Sequence, residues 1–308
     1  MTTNCTDFHG SLAAVPTPFR DGRIDGAAFV HLCERQIIGG TTGLVVCGST
    51  GEAAAMSQED QVELIALATG IVKGRIPVIA GCGGLSTQAA ATAARFAARA
   101  NADALLCAPT PYVKPSQDGI VVHIQRLAEV SGLPIILYDV PSRTGVAIKD
   151  ETVARLFERG LIVGIKDATA DLSRPPMLKA LCGHELIQLS GDDATAAAYR
   201  AAGGHGCVSV TANVVPAACA QLHRAWDAGD LTTFALLRDR LAPLHAALFN
   251  ETNPVPLKAA LHQLGLATDQ VRLPLLPASA ATHVLLRRLT YALIDPETSL
   301  TRETADVE

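Results

Sequence analysis

A chain of 308 residues with 49% hydrophobic and 18% charged side chains can bury one large core, and with 4% aromatics that core is built from Ala, Val, Ile and Leu. The net charge of -5 leaves no electrostatic footprint for nucleic acid or an anionic membrane surface. No apolar run approaches the roughly 18 residues a bilayer span needs, and Met1 to Asp7 show no basic stretch leading into an apolar one, so the expected location is the cytoplasm.

Short apolar runs alternate with longer amphipathic ones. In chain order the predicted strands are 12–15, 43–47, 77–81, 104–108, 134–140, 162–166, 187–190 and 207–211. The predicted helices between them are 25–38, 58–72, 87–99, 119–130, 150–157, 172–181 and 193–201, with 215–226 as the eighth. Helix 172–181 is the weakest, because Pro175 and Pro176 fit only its first turn. Eight strands alternating with eight helices across short loops predict a (β/α)8 TIM barrel with a C-terminal helical extension. A doubly wound open sheet would carry a Gly-rich phosphate turn after its first strand, and Pro16-Thr17-Pro18 is not one. The expected division is a barrel over 8–228, a helical region over 229–294 broken by Pro254-Val255-Pro256 and Leu273-Pro274, and a polar tail over 295–308.

The eight cysteines form no C-x-x-C pair and read as buried reduced thiols; the nine histidines show no H-x-H or H-E-x-x-H spacing, so no metal site is expected.

Chemistry in such a barrel collects at the carboxyl ends of the strands. Of the six lysines, Lys166 alone closes a buried-strand pattern; Lys73, Lys114, Lys149, Lys179 and Lys258 fall in polar turns or on helices and are expected to be solvated. Burial disfavours the charged form of an amine, and an uncharged amine can attack a ketone to form a Schiff base. The bland alternative is a structural ion pair with a neighbouring carboxylate. Cys47-Gly48-Ser49-Thr50-Gly51-Glu52, after the second strand, offers two hydroxyls and backbone N–H groups to a small carboxylate, or is simply a capped turn. Tyr138, closing the fifth strand, can shuttle a proton, and Arg143 presents a fork for a carboxylate. Taken singly, Tyr138 and Tyr112 are as well read as packed amphipathic residues, and Arg143 as a surface charge. Ser190-Gly191-Asp192-Asp193 can serve as a helix cap.

Gly48-Ser49-Thr50-Gly51-Glu52, the segment 138–145, Gly164-Ile165-Lys166-Asp167, Ser190-Gly191-Asp192-Asp193 and Gly204-His205-Gly206 together resemble the dihydrodipicolinate synthase family of pyruvate-dependent class I aldolases, over about residues 10–277. The resemblance implies that Lys166 forms an imine with pyruvate. Thr50 would bind the pyruvate carboxylate, and the backbones at Gly191 and Val208 would line the pocket. Ser49, Tyr138 and Tyr112 would form a proton relay, Tyr112 reaching in from a neighbouring subunit of a dimer or tetramer. Arg143 would hold the second substrate, aspartate 4-semialdehyde. No cofactor is implied beyond the covalent adduct on Lys166. The alternatives are another pyruvate-type Schiff-base aldolase, such as 4-hydroxy-2-oxoglutarate aldolase or a sugar-acid lyase, and a catalytically silent barrel that senses a keto acid.

Three positions depart from the family pattern. Ser49 stands where Thr is usual, losing the methyl that fixes the rotamer. Asp139 replaces a common Asn and would add a charge near the pocket. Tyr112 takes the relay position only if the count to Pro115 is ungapped. At positions matching the family's lysine-inhibition site the chain has Gln58, Gln61, Leu85, Ala89 and Pro111, without the carboxylate and tyrosine an ammonium needs, so feedback inhibition is expected to be weak or absent.

Overall fold

The computed structural model describes residues 8–294. Eight strands, β1 Gly10–Ala14, β2 Gly43–Val46, β3 Val78–Cys82, β4 Ala104–Cys107, β5 Ile135–Asp139, β6 Gly164–Asp167, β7 Ile187–Ser190 and β8 Gly206–Ser209, close into a barrel. Each pairs in parallel with the next, and β8 pairs with β1 through Leu12 opposite Val208.

Alternation along the strands sorts side chains into two layers. Leu12, Ala14, Val45, Ile79, Leu106, Ile136, Leu189 and Val208 fill the barrel interior. Leu44, Val46, Leu105, Leu137 and Ile165 face outward and pack with the helices. Tyr138 packs against the interior cluster, whereas its neighbour Leu137 belongs to the outer layer.

The surrounding helices are α1 Gly26–Ile38, α2 Gln58–Val72, α3 Thr87–Arg99, α4 Gln117–Ser131, α5 Asp150–Glu158, α6 Arg174–Cys182, α7 Ala196–Ala201 and α8 Pro216–Asp227. Side-chain caps start several of them: Asp25 accepts from Ala28 N, Ser57 from Asp60 N, Ser86 from Ala89 N and Ser116 from Gly119 N. Pro175 and Pro176 sit in the first turn of α6, where a missing N–H costs nothing.

Beyond the barrel lie α9 Leu231–Leu248, α10 Val255–Gln263 and α11 Ala280–Ile294. Leu237, Leu241, Leu244, Leu257, Leu261 and Leu286 join the same buried cluster as the outer barrel layer, so these helices share the core. The polar tail foreseen over 295–308 lies outside the described residues.

Two features differ from expectation. A two-stranded hairpin, Phe19–Arg20 with Arg23–Ile24, follows β1, too short for an alternation pattern to reveal. Helix α7 begins at Ala196 rather than 193, because Asp193 turns inward instead of capping it: its carboxylate accepts from Val210 N at 2.7 Å and Thr211 N at 3.1 Å, tying down the end of β8. Six of the seven cysteines in the described region are buried and all seven are free. No helix among the described residues is long and apolar enough to cross a membrane, and no group of three or more His, Cys, Asp or Glu there could hold a metal ion.

Candidate active site

Lys166 lies on β6 directly opposite Tyr138 on β5 and Leu189 on β7. It is 6% exposed, and its Nζ stands 4.3 Å from the centroid of the Tyr138 ring. Nζ makes no ion pair or hydrogen bond with any described residue. Two carboxylates neighbour it along the strands, Asp167 next on β6 and Asp139 opposite that on β5, but alternation turns both outward, toward α6. There Arg174 binds Asp139 at 2.9 Å, Asp167 at 3.2 Å and Asp150 at 2.9 Å. Burial works to lower the Arg174 guanidinium, but Asp167, Asp139 and Asp150 outweigh it, so its pKa is raised and it stays charged. Asp139 also accepts from Ile148 N at 3.2 Å; burial raises its carboxyl, with Arg174 pulling the other way. The expectation that Asp139 adds charge to the pocket is therefore corrected: it faces away from the interior and is matched by Arg174.

Gly191 makes room for the lysine. A Cβ there would come 3.1 Å from Lys166 Cε and 2.8 Å from Ala168 Cβ, and its N–H donates to Asp167 O at 2.6 Å. Val208, 2% exposed, packs in the interior layer.

The loop after β2 carries Ser49, half-buried, and Thr50, 4% exposed. Thr17 Oγ1 donates to Gly51 O at 2.7 Å. Gly81 at the end of β3 lets the loop pass, since a Cβ there would lie 2.1 Å from Cys47 O. Thr50 Oγ1 accepts from Asn253 Nδ2 at 3.0 Å.

The expectation that Lys258 is solvated is overturned. It is 1% exposed, on α10, and forms a short ion pair with Glu52, also buried, at the end of the Ser49–Thr50 loop. Its Nζ donates to Gln270 O at 2.8 Å and lies 4.1 Å from the Phe19 ring centroid. Burial lowers the Lys258 ammonium to about 8 against the opposing pull of Glu52. The second Glu52 oxygen accepts from Arg272 N at 2.8 Å. Sequence reasoning missed this because an amphipathic helix pattern does not say which helix packs over a strand end.

Arg143 sits in a short helical turn, Pro141–Thr144, exposed, with Nη2 donating to Asn253 O at 3.1 Å. Tyr112 stands apart from this group: it is 91% exposed, with a left-handed φ of 73°. Within one chain the structure therefore gathers Lys166 with Tyr138, and Thr50 with Arg143 through Asn253, but leaves Tyr112 in solvent. Asn253 escaped sequence reasoning because the Pro254-Val255-Pro256 stretch after it read only as a helix breaker.

Barrel and site define a (β/α)8 protein with a buried lysine amine beside a phenol at the strand ends, unpaired among the described residues. The family model described as the dihydrodipicolinate synthetase family matches residues 7–291. The chain belongs to that family. It is 48% identical over 274 residues to the 4-hydroxy-tetrahydrodipicolinate synthase of Parvibaculum lavamentivorans, covering 89% of this chain and 94% of that protein. Among solved structures it resembles the dihydrodipicolinate synthase of Thermotoga maritima (TM-score 0.89, 35% identity, 92% and 97% of the two chains). It is equally similar in fold to the chloride-inhibited enzyme of Acinetobacter baumannii complexed with pyruvate (TM-score 0.88, 39% identity, 91% and 97%).

Proposed function

We propose that this chain is a 4-hydroxy-tetrahydrodipicolinate synthase, condensing pyruvate with L-aspartate 4-semialdehyde in lysine and diaminopimelate biosynthesis. Family membership supports the overall reaction. The observation that carries the mechanism is the Lys166 amine, buried at the end of β6 beside Tyr138 with no counter-ion among the described residues.

In this reading Lys166 Nζ adds to the keto carbon of pyruvate, and loss of water from the carbinolamine gives a protonated imine. The imine nitrogen is the electron sink: a methyl proton leaves and its bonding pair flows toward nitrogen, giving an enamine. The enamine carbon then forms a C–C bond to the aldehyde carbon of the semialdehyde, whose oxygen gains a proton. Finally the semialdehyde's own amine displaces Lys166 from the imine carbon, closing the ring and freeing the lysine. Tyr138 serves as proton carrier beside Nζ, with Ser49 next in the relay. Thr50 holds the pyruvate carboxylate, Gly191 and Val208 shape the floor, and Arg143 takes the carboxylate of the semialdehyde.

Tyr112 completes the relay only from a second copy of the chain. Its exposure, the left-handed backbone that projects it, and the exposed Val113 and Leu85 support a homo-oligomer built on this face. A cytoplasmic location fits the free buried thiols. Weak inhibition by lysine is supported by the apolar Leu85, which is exposed, and by the Gln61 amide, which is spent on Ala53 O.

The test is a coupled assay with both substrates on wild type and on Arg143→Ala. Wild type should consume pyruvate only when the semialdehyde is present. The variant should lose turnover by roughly 10- to 100-fold, the weight of charged hydrogen bonds, yet still form the imine with pyruvate. Faster cleavage of 4-hydroxy-2-oxoglutarate or a sugar acid than condensation of the semialdehyde would hand the site to the alternative aldolase.

A further inference from the structure

Asn253 lies in the connection between α9 and α10, far in sequence from both residues it touches. It is 7% exposed. Its Nδ2 donates to Thr50 Oγ1 at 3.0 Å, and its backbone carbonyl accepts from Arg143 Nη2 at 3.1 Å. One residue thus contacts the hydroxyl assigned to the first substrate and the guanidinium assigned to the second.

The direction of the first bond matters. A hydroxyl has one proton and two lone pairs, and a carboxylate only accepts. With the amide N–H donating to Oγ1, the threonine keeps its own proton to give to a bound carboxylate. Were the partner an acceptor, the threonine would spend that proton on it and meet the ligand with lone pairs facing negative charge. The amide oxygen of Asn253 is buried and has no hydrogen-bond partner among the described residues.

We propose that Asn253 is the positioning residue of this site: its amide fixes the Thr50 hydroxyl as a donor toward the keto-acid carboxylate, and its carbonyl holds Arg143 over the same entrance. The inference rests on the functional reading above. The C-terminal helical region, which lines no part of the barrel interior, thereby sets the affinity for the first substrate.

Asn253→Asp keeps the shape and replaces the donor with an acceptor; Asn253→Ala removes the tie without adding charge. Both are compared with Thr50→Val and with the double variant Thr50→Val/Asn253→Ala. The readout is the pyruvate concentration that half-saturates borohydride trapping on the intact protein, with the thermal midpoint recorded alongside. Asn253→Asp should raise that concentration about tenfold or more, as loss of a hydrogen bond to a charged group implies. Asn253→Ala should raise it less, and the double variant should be no worse than Thr50→Val alone, because the amide acts through that hydroxyl. Unchanged half-saturation in both Asn253 variants would overturn the assignment. So would effects that multiply in the double variant. Wild type that traps no pyruvate would overturn the functional reading itself, which distinguishes the two failures.

Discussion

Burial sorts the ionisable side chains of this protein into those that find partners and those that go without charge. Arg174 gathers Asp139, Asp150 and Asp167 behind the barrel, and so leaves Lys166 without a competitor inside it. His223 illustrates the opposite outcome. It is 4% exposed on α8, its Nδ1 has no partner among the described residues, and burial, aided by the nearby Arg200 charge, lowers its imidazole to about 3. The folded form therefore refuses a proton that an unfolded chain accepts near 6.5. Between those values the unfolded state binds more protons, so stability is full above about 6.5 and drains away as pH falls. The unfolding free energy should drop by up to about 1.4 kcal/mol per pH unit from this residue alone. Urea titrations from pH 7 to 4.5 should show a shallower dependence for His223→Leu than for wild type. Identical slopes would mean that His223 is protonated in the fold.

Among the elements, the C-terminal helices deserve the name of scaffold for the second strand's loop, because α10 drives Lys258 into contact with Glu52. Breaking a buried ion pair from one side leaves a bare charge and costs about 3–5 kcal/mol, whereas removing both partners is often close to neutral. Lys258→Met should thus destabilise the protein by about that amount in chemical denaturation, and Glu52→Gln/Lys258→Met should regain most of it. A double variant as unstable as the single would show that Lys258 matters for packing and not for its charge. The strands were legible because a barrel strand buried on both faces is a continuous apolar run, and β6 stood out by ending such a run in a lysine. The ends of elements were less so: α7 lost its expected first turn to Asp193, whose carboxylate is claimed by β8 backbone amides distant in sequence. Lys258 and Asn253 were illegible for the same reason, as their meaning lies in contacts made across some 200 residues of chain.

For the molecule as a whole, the barrel brings residues from β2, β5 and β6 and from a connection beyond β8 to one rim, which no local pattern could have placed together. The motif resemblance supplied roles, and outward-facing Asp139 shows where such roles mislead: strand parity, not proximity in sequence, decides which side chain meets the pocket. Tyr112 marks the limit of a single chain: it stands in solvent, and in the proposed relay it acts only from a second copy. What remains within one chain is a buried amine beside a phenol, which the proposed function bonds covalently to a keto acid. Reduction with borohydride in the presence of pyruvate, followed by peptide mass mapping, tests this most directly. One pyruvate-dependent adduct is expected, on the peptide containing Lys166 and absent from Lys166→Met. An adduct on Lys258, the other buried lysine, or no adduct at all would contradict it.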